Sequence, residues 1–120
     1  MLFPVNGELW ESRIVPPGSP ELRDWTGTER LGTADYAART IYLSSELEPP
    51  LLDRVALHEV AHAVIASHGL LRETPLEDRR RIDEWTARVM EEHALEAVSA
   101  ASTALGRPVC VEGVCNGRPR

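Results

Sequence analysis

The stretch LLDRVALHEVAHAVIASHG, residues 51–69, carries apolar side chains on nearly every side of a helical wheel. Pro49 and Pro50 stand just before it, and proline fits the first turn of a helix because the amide hydrogens there have no partner within the helix. Gly69 suits the left-handed residue that ends many helices. The pattern predicts a helix over about residues 50–68 that is central to the fold.

Three ionisable residues, His58, Glu59 and His62, lie inside this apolar helix. They fit the pattern H-E-x-x-H, in which histidines four residues apart lie about 40° apart around the helix and can reach one ion. The pattern also arises by chance, with both imidazoles satisfied by ordinary hydrogen bonds in the core. Because burying several unpaired ionisable groups is costly, a bound metal explains it better. The sequence therefore predicts a zinc site.

The same residues also predict which reaction the site catalyses. Zinc held by neutral histidines leaves a position for water, lowers the pKa of that water towards neutrality and polarises a carbonyl group. Glu59, next to His58 in the chain, suits a general base that takes a proton from the water and passes it to a leaving amine. The sequence indicates hydrolysis of peptide bonds.

One candidate for a third ligand is His68, ten residues after His58, as in the metzincin pattern H-E-x-x-H-x-x-G-x-x-H. That pattern needs a glycine at position 65 to turn the chain. Ile65 is β-branched and poorly suited to a left-handed turn. If the helix continues, His68 lies about 80° from His58 and about 120° from His62, too far round to share their ion.

The other candidates lie in a second predicted helix, which begins at Thr74-Pro75-Leu76-Glu77 and runs to about Leu105. Its first residues match a capping box with proline in the first turn. The short loop 69–74 can fold this helix back against the first. Asp83 faces its apolar stripe, so amphipathicity alone favours Asp83 as the ligand, whereas Glu84 has the longer side chain.

Strands are predicted ahead of the first helix. Residues 7–15, GELWESRIV, lie between Asn-Gly and PPGSP, which indicates a strand ending in a turn. Thr33–Tyr36 and Thr40–Leu43 predict an antiparallel hairpin. Sheet edges are commonly protected and without function, but an edge beside a metal cleft can hold an extended peptide through main-chain hydrogen bonds.

The charge balance excludes some partners. Thirteen basic and nineteen acidic residues give a net charge of −6, which argues against nucleic acid because that partner requires a basic surface. The sequence lacks a signal-like start and any run of the roughly twenty apolar residues that a membrane span requires. We expect a cytoplasmic protein without nucleic-acid or membrane partners.

The chain of 120 residues suits one compact domain, predicted over residues 1–106, with a tail over 107–120. In the tail, Glu112-Gly113 can form a two-residue hairpin turn that pairs residue 111 with 114 and Cys110 with Cys115. Three states of these cysteines stay open: two reduced thiols, which cytoplasmic conditions favour, a disulfide, or one thiolate that caps the zinc.

The order of these segments resembles the small zincin metallopeptidases of phages and bacteria, the minigluzincin and ImmA/IrrE-like group. The likeness covers about residues 5–98 and includes the hairpin GTADYAARTIYLSS, the helix LLDRVALHEVAHAVIASHG and the later segment IDEWTARVMEEH. It implies an α+β fold in which a small antiparallel or mixed sheet packs on the H-E-x-x-H helix and a second long helix follows.

The resemblance also implies roles for single residues. His58 and His62 look like zinc ligands, Glu84 like the third ligand, and Glu59 like the general base that acts on a protein or peptide substrate. Many gluzincins carry an aspartate four residues after the third ligand to support a histidine, whereas this chain has Arg88. Histidine orientation would then depend on another group. The alternative is a catalytically weak zincin that serves as a protein-binding or regulatory module, which Arg88 favours mildly and Glu59 disfavours.

Overall fold

The computed structural model describes the backbone of residues 1–111 and 114–116 and the side chains of residues 1–109. The predicted α+β class, with a small mixed sheet and two long helices, is confirmed. The elements in chain order are β1 Leu2–Val5, β2 Glu8–Val15, a 3₁₀ turn Pro20–Leu22, β3 Gly32–Asp35, β4 Thr40–Ser44, α1 Leu51–His68, α2 Leu76–Leu105, β5 Val109–Val111 and β6 Val114–Asn116.

The main sheet has the strand order β1-β2-β4-β3 and consists of two antiparallel hairpins joined by the parallel pair β2 and β4. Asn6 and Gly7 connect β1 to β2 with φ angles of 49° and 74°, the left-handed conformation that a two-residue hairpin turn favours. The sequence predicted β2 but missed β1. Pro4 masks that strand, because a proline cannot donate a hydrogen bond and is tolerated mainly on edge strands.

The predicted second hairpin is confirmed as β3 and β4, with bounds shifted by one residue. The amide of Ser44 donates to the carbonyl of Leu31 at 2.9 Å. Because hydrogen-bonded pairs alternate along an antiparallel ladder, the main-chain groups of Gly32 and Ala34 point to the outer edge of the sheet. Since β3 is the last strand in the order, this edge is not covered by another strand of the described sheet.

Helix α1 confirms the prediction closely and ends at Gly69, whose φ is 59°. Helix α2 also has the predicted extent, but the capping box is wrong. Pro75 occupies the N-cap position and no side chain caps the helix, because the helix begins one residue later than the pattern indicated and leaves Thr74 outside it. The Arg79 guanidinium instead donates to the Thr74 carbonyl at 2.9 Å.

The core lies between the sheet and α1. One cluster contains Val5, Trp10, Ile41 and Ala63, and the Trp10 indole donates to the Ser67 hydroxyl at 2.8 Å. A second cluster contains Leu43, Leu47 and Val55. Helix α2 packs along α1 rather than on the sheet and buries only Ala87 and Ser102. The sheet therefore fixes α1, and α1 in turn positions α2.

Strand β3 approaches α1 very closely at Gly32. A Cβ atom placed on this glycine would lie 2.7 Å from Cγ1 of Val55 and 3.1 Å from Cγ of Glu59. A side chain here would displace one of these residues, so the close contact between the edge strand and the H-E-x-x-H helix depends on glycine.

The tail forms the predicted hairpin. Strands β5 and β6 pair in antiparallel register, with Val111 opposite Val114 and Cys110 opposite Cys115. The turn residues Glu112 and Gly113, and the cysteine side chains, lie outside the described residues. The three cysteine states and the domain limits at residue 106 stay predictions.

Neither α1 nor α2 qualifies as a membrane-spanning helix. Among the residues described here, no helix combines the length and the apolar character needed to cross a bilayer.

We expect Gly32→Ala to lower the free energy of unfolding by about 1–3 kcal/mol, the usual cost of overpacking a core. Val55→Ala provides the matched background, because it removes the Cγ1 atom that lies nearest. In chemical denaturation the penalty of Gly32→Ala should shrink in that background. An equal penalty in both backgrounds would contradict the contact.

Candidate metal centre

Packing of α2 against α1 brings His58, His62 and Glu84 together. The ligating atoms of these three residues all lie within 4.8 Å of one another. The Nε2 atoms of the two histidines are 3.2 Å apart. The Glu84 carboxylate faces both, with Oε1 at 3.3 Å from Nε2 of His62 and Oε2 at 3.4 Å from Nε2 of His58.

Each of these three distances is close to the edge length of a coordination tetrahedron, with a different Glu84 oxygen facing each histidine. Ligand atoms about 2.0–2.1 Å from a tetrahedral zinc ion lie about 3.3–3.4 Å from each other. Charge-assisted hydrogen bonds are shorter, at about 2.7–2.9 Å, and the contacts of Nδ1 of His62 and His58 to other carboxylates, at 2.8 and 2.9 Å, have that length. The two Nε2 atoms are thus spaced as ligands of one ion with the Glu84 carboxylate facing both, and two imidazoles with one carboxylate are a donor set that zinc accepts.

A supporting carboxylate lies behind each histidine. Nδ1 of His62 is 2.8 Å from Oδ1 of Asp83, and Oδ2 of Asp83 accepts a hydrogen bond from the Tyr36 hydroxyl at 2.8 Å. Nδ1 of His58 is 2.9 Å from Oε1 of Glu91. A carboxylate can only accept, so in the neutral rings both contacts place the proton on Nδ1, and the Nε2 lone pair is then available to a metal.

The surrounding carboxylates shift the pKa values of the site. Burial alone lowers the pKa of His62, but the hydrogen bond to Asp83 and the contact with the Glu84 carboxylate outweigh it and raise that pKa to about 10. The contact with Glu84 raises the pKa of His58 above its ordinary value. The same contacts with His58 and His62 hold the pKa of Glu84 well below its usual range. Protons therefore compete with any metal for the histidines.

Glu59 lies in the core beside this group. Its side chain is 7% exposed, and Oε2 lies 3.2 Å from the position that a Cβ would take on Gly32. Burial raises the pKa of Glu59 to about 7, against the lowering effect of His62 and His58. A carboxyl group with a pKa near neutrality can both accept and return a proton at that pH.

The two other candidate ligands do not join the group. His68 is exposed at the last residue of α1. Asp83 contacts Nδ1 of His62 rather than Nε2, so it supports a ligand. Of the three candidates, Glu84, the residue that the resemblance implied, is the one whose carboxylate faces both Nε2 atoms.

Sequence reasoning missed three residues that surround the histidines. Glu91 lies seven residues after Glu84, two helical turns further along nearly the same face, and that spacing could have signalled it. Arg54 lies one turn before His58 on α1 and donates to Oε2 of Glu91 at 3.3 Å. Tyr36 follows β3 and carries no local signal, because only the tertiary fold brings it to Asp83.

Comparisons of the chain with protein-family models, with curated proteins and with solved structures found no match. The interpretation of this centre therefore depends on its own geometry.

Alanine substitution of each candidate residue tests which one is the third zinc ligand. We expect Glu84→Ala to weaken zinc binding by more than the about 10–100-fold typical of a supporting group, and Asp83→Ala to fall within that range. His68→Ala should leave the affinity unchanged because His68 is exposed and distant from the group. Competition with a chromophoric chelator measures all three. A large loss confined to His68→Ala would favour the metzincin arrangement instead.

Zinc binding should release protons at pH 7. Zinc binds neutral imidazole, whereas a pKa of about 10 keeps His62 protonated at this pH. The apparent affinity should rise with pH and level off only as pH passes about 10, the pKa of His62. Calorimetry in two buffers of different ionisation enthalpy counts the protons.

Asp83→Asn is the matched control for this measurement, because it removes a charge that raises the pKa of His62. Zinc binding to Asp83→Asn should release fewer protons than zinc binding to the wild type. A binding enthalpy that is independent of the buffer would contradict the expectation.

Proposed function

We propose that this protein is a zinc-dependent metallopeptidase of the gluzincin type. The observation that carries the proposal is the convergence of His58 Nε2, His62 Nε2 and the Glu84 carboxylate, whose ligating atoms lie within 4.8 Å of one another, beside a buried glutamate from the same H-E-x-x-H turn. The proposal includes a zincin-like arrangement of the sheet and the two helices, consistent with the sequence resemblance to minigluzincins.

An open coordination position distinguishes a catalytic centre from a structural one. Structural zinc sites are usually closed by four protein ligands, whereas catalytic sites use three. Among the described residues the ligand group has three members, and the Glu84 side chain is 56% exposed. This exposure supports a centre that admits water and substrate.

Each residue then has a defined task in hydrolysis. Bound zinc supplies Lewis acidity, which activates water and polarises the scissile carbonyl group. Glu59 takes a proton from the attacking water as the new carbon–oxygen bond forms. It returns that proton to the amide nitrogen as the carbon–nitrogen bond breaks, so the products are a carboxylic acid and an amine.

The outer edge of β3 supports a peptide as the substrate. The main-chain groups of Gly32 and Ala34 point to this edge, where an extended peptide can add as a further strand. Gly32 also lies against Glu59, with the glutamate Cγ 3.1 Å from the Cβ position. A peptide paired with this edge would therefore pass close to the proposed general base.

We expect Glu59→Gln to retain zinc and fold while losing at least about two orders of magnitude in peptide hydrolysis, the usual scale for a general base. Glu77→Gln, the same change at an exposed position of α2, is the control and should keep full activity. The measurement is the turnover of a peptide library by zinc-loaded protein. Equal cleavage by Glu59→Gln and wild type would refute the mechanism. A wild type that binds zinc but cleaves nothing would favour the regulatory module.

A further inference from the structure

Glu91 connects the two helices at the edge of the site. Its Oε1 atom lies 2.9 Å from Nδ1 of His58, and its Oε2 atom accepts a hydrogen bond from Arg54 at 3.3 Å. The side chain is 21% exposed, comparable with 20% for His58. One carboxylate thus uses both oxygens, one on the histidine and one on a guanidinium from the preceding turn of α1.

The spacing along the helices explains how a separate carboxylate reaches Nδ1 of each histidine. His58 and His62 are four residues apart, about 6 Å along α1, whereas Asp83 and Glu91 are eight apart, about 12 Å along α2. The two carboxylates therefore reach the histidines from outside, at their Nδ1 atoms. Glu84 lies between them along α2 and faces the Nε2 atoms from within.

The support of His58 differs from that of His62. The Asp83 side chain is 18% exposed and the His62 side chain 5%, and Tyr36 adds a second hydrogen bond to Asp83. The His58 side chain is more exposed, at 20%, so packing constrains its ring less. Its orientation therefore depends more strongly on the contact with Glu91.

We propose that Glu91 is the positioning residue of His58: it holds the ring with Nε2 towards the metal, and Arg54 holds Glu91 in turn. This inference rests on the zinc site proposed above. It also answers the question raised by Arg88, because the carboxylate comes from the residue three positions further along α2 instead of from position 88. Carboxylates behind metal-binding histidines fix the tautomer and raise the basicity of the ligand nitrogen.

The test is zinc affinity in a graded series of variants. Glu91→Leu removes the acceptor and should weaken zinc binding by about 10–100-fold. Glu91→Gln keeps a neutral acceptor and should lose less, and Arg54→Met should lose less again because it acts through Glu91. Glu92→Leu is the matched control. The Glu92 carboxylate is next to Glu91 in the chain, but it is 43% exposed and lies 3.7 Å from Nε2 of His93. The zinc affinity of Glu92→Leu should therefore equal that of the wild type.

Imidazole NMR of the zinc-loaded protein separates positioning from a general effect on folding. In wild type the Nδ1 protons of both histidines should exchange slowly with solvent, because each donates to a carboxylate. In Glu91→Leu the His58 proton should exchange faster while the His62 proton, bonded to Asp83, stays protected. If Glu91→Leu does not fold, the Glu91→Gln and Arg54→Met affinities decide the question.

The outcomes distinguish this inference from the proposed function. A wild type that fails to bind zinc refutes the site itself. A wild type that binds zinc, together with Glu91 variants of unchanged affinity and unchanged His58 exchange, refutes only the role of Glu91. Loss of protection at both histidines together would indicate a structural role for Glu91 instead of a specific one.

Discussion

The antiparallel packing of α2 along α1 is the constraint on which the rest of the site depends. Helix α1 supplies both imidazoles, and α2 supplies the carboxylates that face them from three positions. In two of these contacts, at 2.8 and 2.9 Å, a histidine Nδ1 donates a short hydrogen bond to a carboxylate. These two hydrogen bonds fix the position of α2 along α1, because Asp83 and Glu91 reach the two histidines from opposite ends. Glu84 then faces both Nε2 atoms.

The sheet contributes to the site through a close approach rather than through a ligand. Because Gly32 has no side chain, β3 packs directly against Val55 and Glu59. This contact removes Glu59 from water, and the burial raises its pKa to about 7. The packing that completes the core under the edge strand is therefore the same packing that tunes the glutamate. A change at Gly32 would therefore affect both stability and the pKa of Glu59.

The charge of the site favours a cation. Four carboxyl groups, from Glu59, Asp83, Glu84 and Glu91, surround two imidazoles. Protonated histidines balance part of this negative charge, which is why the pKa values of His58 and His62 are raised. A divalent ion can take over that role when the Nε2 protons leave. The net charge of −6 over the whole chain adds a background that also favours cations.

The sequence by itself determined the two helices, the β3–β4 hairpin, the tail register and the three ionisable residues of the H-E-x-x-H pattern, because periodicity and spacing are local properties. It missed β1, whose proline conceals a strand that only pairing with β2 reveals. For the third ligand the resemblance pointed to Glu84 while amphipathicity alone pointed to Asp83, because a helical wheel does not show which neighbour a face meets. Tertiary packing placed the Glu84 carboxylate opposite both Nε2 atoms and brought Tyr36, Arg54 and Glu91 to the same site, since contacts between distant segments depend on how α2 lies along α1.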